Sequence, residues 1–186
     1  MSLLLLIDGY NVVAPVAPPS HTPYSRIPDV HWLHRERMQL IQRLVKHLDH
    51  DVRSRTCVVF DAANPPPDRP HEFQIEGIDV RFAVDYPEAD DLLEELIGSH
   101  SAPKKLAVVS SDNRVQAAAR RRGSLALDSQ DWLDDLLDGN VRLAVTGRSG
   151  ADRSGAGQGS GQAIDEKTTP TIDDDDVEKW MREFGF

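Results

Sequence analysis

The sequence predicts an α/β protein, a parallel, doubly wound sheet of about five strands flanked by helices. Three observations predict it. Short continuous apolar runs, Leu3-Leu4-Leu5-Leu6-Ile7, Thr56-Cys57-Val58-Val59-Phe60 and Leu106-Ala107-Val108-Val109, read as strands buried on both faces. Segments of helical period separate them, and that alternation implies parallel strands joined by helical crossovers. Each run is followed closely by an acid, Asp8, Asp61 or Asp112. Open α/β sheets take their ligands outside the carboxyl ends of the strands, so these acids mark the rim where chemistry is expected.

Residues 3–7 make the first strand, which delivers Asp8, Gly9, Tyr10 and Asn11 to that rim. Five of the twelve prolines, Pro15, Pro18, Pro19, Pro23 and Pro28, fall in residues 12–28, which predicts a loop or lid beside the crevice. Asp29 suits the N-cap of a helix over residues 30–48, where Leu33, Leu40, Ile41, Leu44, Val45 and Leu48 recur near helical period. Arg35, Arg37, Arg43 and Lys46 lie on its other face, a solvated face that could also meet phosphates. Thr56–Phe60 is the second strand, and Asn64-Pro65-Pro66-Pro67 breaks the chain after it.

Alternation over residues 78–84 predicts an edge or half-covered strand, stopped by Tyr86-Pro87. A helix over residues 88–97 follows, with Leu92, Leu93, Leu96 and Ile97 on one face and Glu88, Asp90 and Asp91 at its start. The helix dipole alone favours acids there. Lys104 and Lys105 lead into the next strand, and Asp112 after it also suits the N-cap of a helix Asn113–Arg122 closed by Gly123. Leu125–Leu127 is a short fifth strand, and residues 131–137 form a last helix.

The 186 residues fit one domain of ordinary size plus an appendage, and 39% hydrophobic residues suffice for a core. Residues 1–140 form the domain; residues 141–172, rich in Gly and Ser, form a disordered linker; residues 173–186 form a C-terminal peptide. In that peptide Asp173, Asp174, Asp175 and Asp176 precede Val177, Trp180, Met181 and Phe184, spaced as one face of a short helix. So short a helix is marginal in water, so it either docks on a protein partner or folds back on its own domain. The apolar run at residues 3–7 is too short to span a bilayer and has no basic leader, and the single cysteine, Cys57, permits no internal disulfide. A cytoplasmic protein without membrane contact is expected.

The net charge is −10: residues 1–147 hold sixteen Lys and Arg against twenty-two Asp and Glu, residues 148–186 five against nine. An acidic body argues against bulk electrostatic capture of nucleic acid, but not against acids concentrated around a metal. Carboxylates from three strand ends, with Glu88, Asp90 and Asp91, raise one another's pKa if they share a pocket, and a divalent cation resolves the conflict. Oxygen ligands without paired cysteines select Mg²⁺ or Mn²⁺ over zinc. The i, i+3 pairs His31/His34 and His47/His50 lack accompanying cysteines and rank well behind the acids as ligands.

Four motifs in order, Ile7-Asp8-Gly9-Tyr10-Asn11, Val59-Phe60-Asp61-Ala62, Glu88-Ala89-Asp90-Asp91 and Ser110-Ser111-Asp112, resemble the NYN domain of the PIN-like nuclease superfamily, specifically its YacP-like branch, over residues 3–138. The resemblance implies a PIN-like sheet and a metal-dependent ribonuclease in which Asp8, Asp90 and Asp112 match the metal-binding acids. Asp61 matches the second-strand acid and Asn11 the polar residue beside the first. Asp91 stands next to Asp90, and either could point inward, though Asp90 fits the register. The long proline-rich loop at residues 14–28 and the tail beyond Asp138 depart from the pattern.

The expected function is an endoribonuclease hydrolysing RNA with Mg²⁺ or Mn²⁺, in mRNA or ribosome-associated RNA turnover. Asp8, Asp90 and Asp112, with Asp91 adjacent, hold the metal, and Asp61 and Asn11 support them. Arg114, Arg120, Arg121, Arg122, Lys104 and Lys105, near the same edge or on its flanking helix, are the candidates for the RNA backbone. A ribosome or protein partner could dock through residues 173–186. A haloacid-dehalogenase-type phosphohydrolase needs a second Asp two residues after the first, where this chain has Tyr10. A non-catalytic RNA-binding or adaptor domain acting through the C-terminal peptide is the remaining alternative.

Overall fold

The computed structural model describes residues 2–13, 32–61 and 71–144, with side chains from residue 35 onward in the second stretch. The proline-rich loop, most of the linker and the C-terminal peptide lie outside the described residues. Among the described residues six strands form one sheet, in the order β3 (Glu72–Ile75), β4 (Ile78–Phe82), β2 (Thr56–Phe60), β1 (Leu5–Asp8), β5 (Ala107–Val109), β6 (Leu125–Leu127). The five expected strands are all present and run parallel.

The sixth, β3, pairs antiparallel with β4, with Ile75 opposite Ile78. It takes the edge position, so β4 is internal rather than an edge strand. The hairpin turns on Glu76 and Gly77, both at positive φ (51° and 88°), the two-residue turn that suits strand twist. Its signal in the sequence is weak because Glu is disfavoured there and because only Ile75 of β3 is fully buried.

β1 is central because every residue of it is buried, as are those of β2 and β5 on either side. By alternation Leu6, Cys57, Val59 and Val108 point to one face. There they pack with Leu92, Leu93 and Ile97 of α4 (Ala89–Ser99) and Val115, Ala118 and Ala119 of α5 (Asn113–Arg122). Leu5, Ile7, Val58 and Phe60 point to the other. That face belongs to α1 (Gly9–Val13), α2 (Trp32–His47) and α6 (Ser129–Leu137), which touch one another. A one-turn helix, α3 (His50–Arg53), precedes β2.

Three differences from the expected elements follow from local geometry. Residues 12 and 13 belong to α1, not to the loop, because Val12 and Val13 are buried beneath α2 and α6. His47 ends α2 while His50 opens α3, so that pair does not share a helix. α6 starts at Ser129, since Asp128 caps it by accepting the Gln130 and Asp131 N–H groups. No helix among the described residues is long and apolar enough to cross a membrane.

Candidate active site

Strands pass from β1 to β2 on one side and from β1 to β5 on the other, so the sheet changes winding direction at β1, the position where ligands enter such folds. Asp8 stands at that switch point and is only 3% exposed. The turn into α1 brings Asn11 back against it. The Asn11 backbone N–H donates to Oδ1 at 3.3 Å and its side-chain amide to Oδ2 at 2.5 Å. From the end of β5, Ser110 Oγ donates to Asp8 Oδ2 at 2.8 Å and accepts the Asp112 backbone N–H at 3.0 Å. A continuous chain therefore runs Asn11, Asp8, Ser110, Asp112 across two neighbouring strands. Burial pushes the Asp8 carboxyl above its ordinary pKa; bonds from Ser110 and Asn11 pull it back, and the Asp112 charge adds to the rise.

Asp112 does cap α5: its Oδ1 accepts the N–H groups of Arg114 at 2.6 Å and Val115 at 3.3 Å. The cap and the site are compatible, because the charge of Asp112 is still felt by both Asp8 and Asp90. Asp90, in the first turn of α4, is pushed up to about 6 by burial, with the Asp112 and Asp8 charges adding and Arg114 opposing. Among the described residues no donor reaches its carboxylate. Asp8, Asp90 and Asp112 thus share one electrostatic neighbourhood.

Asp91 turns away. It pairs with Arg114, which Glu94 also holds at 2.7 Å and Glu88 at 3.3 Å. The structure therefore separates the two adjacent acids that sequence left undecided, Asp90 facing the other carboxylates and Asp91 the arginine. Asp61 follows β2 and is half-buried, and its charge acts on the Tyr10 hydroxyl.

Behind this rim lies a residue that sequence reasoning placed in solvent. Arg37 is 6% exposed, its Nε donates to the Tyr10 hydroxyl at 3.0 Å, and its Nη2 donates there as well. Its guanidinium carbon sits 5.4 Å, 5.6 Å and 4.9 Å from the ring centres of Tyr10, Phe60 and Phe82. These cation–π contacts fix the helix that starts at Gly9 against β2 and β4. Burial raises the Tyr10 pKa and Arg37 opposes the rise, so the phenol stays protonated at neutral pH. In the sequence, Ser110 is signalled only by its i, i+2 spacing to Asp112 at a strand end.

The basic residues do not gather as expected. Arg114 is exposed but surrounded by three carboxylates, which hold its proton more tightly than usual. Lys104 and Lys105 lie in a 3-10 turn (Pro103–Lys105) just before β5, and Arg120, Arg121 and Arg122 end α5. Both segments are at the amino ends of the strands, across the sheet from the acids. They are not part of the carboxylate rim.

Among the described residues no three His, Cys, Asp or Glu side chains stand together as a ready metal-holding group. The donor set still suits a hard cation. It consists of oxygen only, burial with neighbouring acidic charge raises the pKa of Asp8 and Asp90, and Mg²⁺ commonly takes one or two carboxylates and completes its shell with water.

Comparison with known proteins identifies the family and the fold. The family model for the YacP-like NYN domain matches residues 5–179. The match runs well past Asp138, which corrects the expectation that the tail has no counterpart in the family. Two crystal structures of Rae1 (YacP) from Bacillus subtilis share the fold. One superposes with a TM-score of 0.52 at 22% identity, covering 75% of each chain. The other, of a single-substitution mutant, gives 0.50 at 21% identity over 75% of this chain and 77% of that one. No curated protein sequence matches the chain. The protein belongs to the YacP-like NYN domain family, a branch of the PIN-like nucleases.

Proposed function

We propose that the chain is a metal-dependent endoribonuclease that hydrolyses RNA phosphodiester bonds at the carboxyl rim of β1 and β5. The observation that carries the reading is the hydrogen-bonded chain Asn11, Asp8, Ser110, Asp112 at the switch point, beside which Asp90 from a distant part of the chain brings a third acid. Carboxylates that share a partly buried rim repel one another, and a site for Mg²⁺ or Mn²⁺ removes that cost.

Asp8, Asp90 and Asp112 would hold the ion, which when bound supplies a hydroxide nucleophile at neutral pH and neutralises charge on the phosphate. The rest belongs to the chain itself. Asn11 and Ser110 fix the Asp8 carboxylate in one orientation, and burial keeps water from the side facing the core. Ser110 also fixes the Asp112 backbone, so two candidate ligands move as one unit. Arg114 draws Asp91, Glu88 and Glu94 aside and leaves Asp90 to face the site.

RNA cleavage by Asp8→Asn and Asp112→Asn with Mn²⁺ tests the proposal. Asparagine caps helices as well as aspartate does, so Asp112→Asn keeps α5. A loss of about a hundredfold or more in rate is expected from each. Cleavage at the wild-type rate by both would end it.

A further inference from the structure

Residues 96–127 hold six Lys and Arg and one acid, Asp112, in a chain of net charge −10. Arg114 is absorbed by the acids of α4. The other five cations meet at the amino rim. The Leu125 N–H donates to the Leu106 carbonyl at 3.0 Å and Ala107 is level with Leu125, so the turn that ends at Lys105 and the helix that ends at Arg122 enter neighbouring parallel strands at the same rim. Arg122 is fastened there, donating to the carbonyls of His100 at 3.2 Å and Ile97 at 3.5 Å. Among the described residues the Arg120 guanidinium bonds the neutral Gln116 side chain, at 2.8 Å. Lys104, Lys105, Arg120 and Arg121 are exposed, and among the described residues none of them pairs with a carboxylate.

A solvated face is the bland reading of such a cluster. Two features argue against it. Elsewhere among the described residues Arg53 pairs with Glu76, Arg81 with Asp79 and Glu72, and Arg142 with Asp135, while Arg43, Lys46 and Arg55 form no ion pair but stand apart from one another in the sequence rather than in a run. Here no acid is interleaved in either contributing segment. The patch also contains no Trp, Tyr, Phe or Met, the anchors that the centre of a protein interface favours. Repeated point charges without apolar anchors suit a phosphate backbone.

We propose that the amino rim formed by Lys104, Lys105, Arg120 and Arg121 is a second, non-catalytic docking surface for RNA phosphates. α5 separates it from the carboxylates by about 15 Å. RNA is held by its backbone at one rim while the segment to be cut lies at the other. The inference rests on the reading of the chain as a protein that acts on RNA, but its test does not require cleavage.

The full 186-residue chain carrying Asp8→Asn is titrated, in EDTA, into a fluorescently labelled single-stranded RNA long enough to reach both rims, over a series of KCl concentrations. The combined variant Lys104→Ala, Lys105→Ala, Arg120→Ala, Arg121→Ala binds about tenfold more weakly or worse at low salt. Its log K against log salt flattens by about 3, since each phosphate contact on a single strand contributes roughly 0.7 to that slope. The variant that exchanges Lys and Arg at the same four positions keeps affinity and slope, which separates charge from folding. Unchanged affinity and slope in a folded alanine variant overturns the proposal and leaves the patch to an acidic protein surface, residues 173–176 of the chain included. Weakened binding by a chain that never cuts RNA leaves the docking surface in place and removes the nuclease reading alone.

Discussion

Ser110 is the residue through which the two central strands share their acids, donating to Asp8 and accepting from the backbone of Asp112. Ser110→Ala leaves a buried carboxylate short of a donor. We expect a loss of about 1–3 kcal/mol in urea unfolding and an upward move of the Asp8 titration midpoint by NMR, since the Ser110 bond, with those from Asn11, lowers it. Gly9 makes a different demand. A Cβ there would lie 2.3 Å from Phe60 Cε1 and 2.5 Å from Cδ1, and Phe60 is 1% exposed with no room to swing. Gly9→Ala should cost about 1–3 kcal/mol by overpacking, and a variant as stable as wild type would show that the ring yields freely. Asp8, Asp61 and Asp112 were legible because an acid after an apolar run is rare and positional. Arg37 was not, because its burial is made by Tyr10, Phe60 and Phe82 from three other elements, and helical period alone put it outside.

α4 and α5 pack side by side, α4 over β1 and β2 and α5 over β5 and β6, and Arg114 ties their exposed ends by gripping Glu88, Asp91 and Glu94. Exposed ion pairs contribute little to stability. The consequence lies at the neighbouring acid instead. Arg114 opposes the rise in the Asp90 pKa, so Arg114→Ala should move the Asp90 titration above about 6 while barely changing the melting temperature. A downward move would mean that the arginine does not act on Asp90. The five parallel strands and the helices α4, α5 and α6 could be read from apolar runs, helical period and the acids and glycine that bound them. β3 could not, because an edge strand with one buried residue carries almost no apolar pattern and its turn needs Glu76 in a conformation that Glu disfavours. The Lys104 and Lys105 segment and the end of α5 were legible as basic, but which rim they occupy follows from strand direction, which only the assembled sheet defines.

Among the described residues, charge is divided along β5 and its neighbours: the carboxyl end gathers Asp8, Asp90, Asp91 and Asp112, and the amino end of β5 and β6 gathers Lys104, Lys105 and the arginines that end α5. Asp8 and Asp90 both bind protons more tightly in the folded chain than in the unfolded one, where an aspartate titrates near 3.8. For a group raised in this way the stabilising contribution is complete below pH 4 and disappears as pH rises through about 6. In EDTA the melting temperature should therefore fall further between pH 4 and pH 7 in wild type than in Asp90→Asn, and Mn²⁺ should restore it at pH 7; equal falls would remove the electrostatic coupling from the account. The family and its sheet were legible from four short motifs, and the assembled structure adds which acids face each other. The most direct measurement is anomalous diffraction from crystals soaked in Mn²⁺. A peak bounded by Asp8, Asp90 and Asp112 is predicted, whereas a peak elsewhere, or none at a concentration that supports cleavage, would contradict the assignment of that rim as the catalytic site.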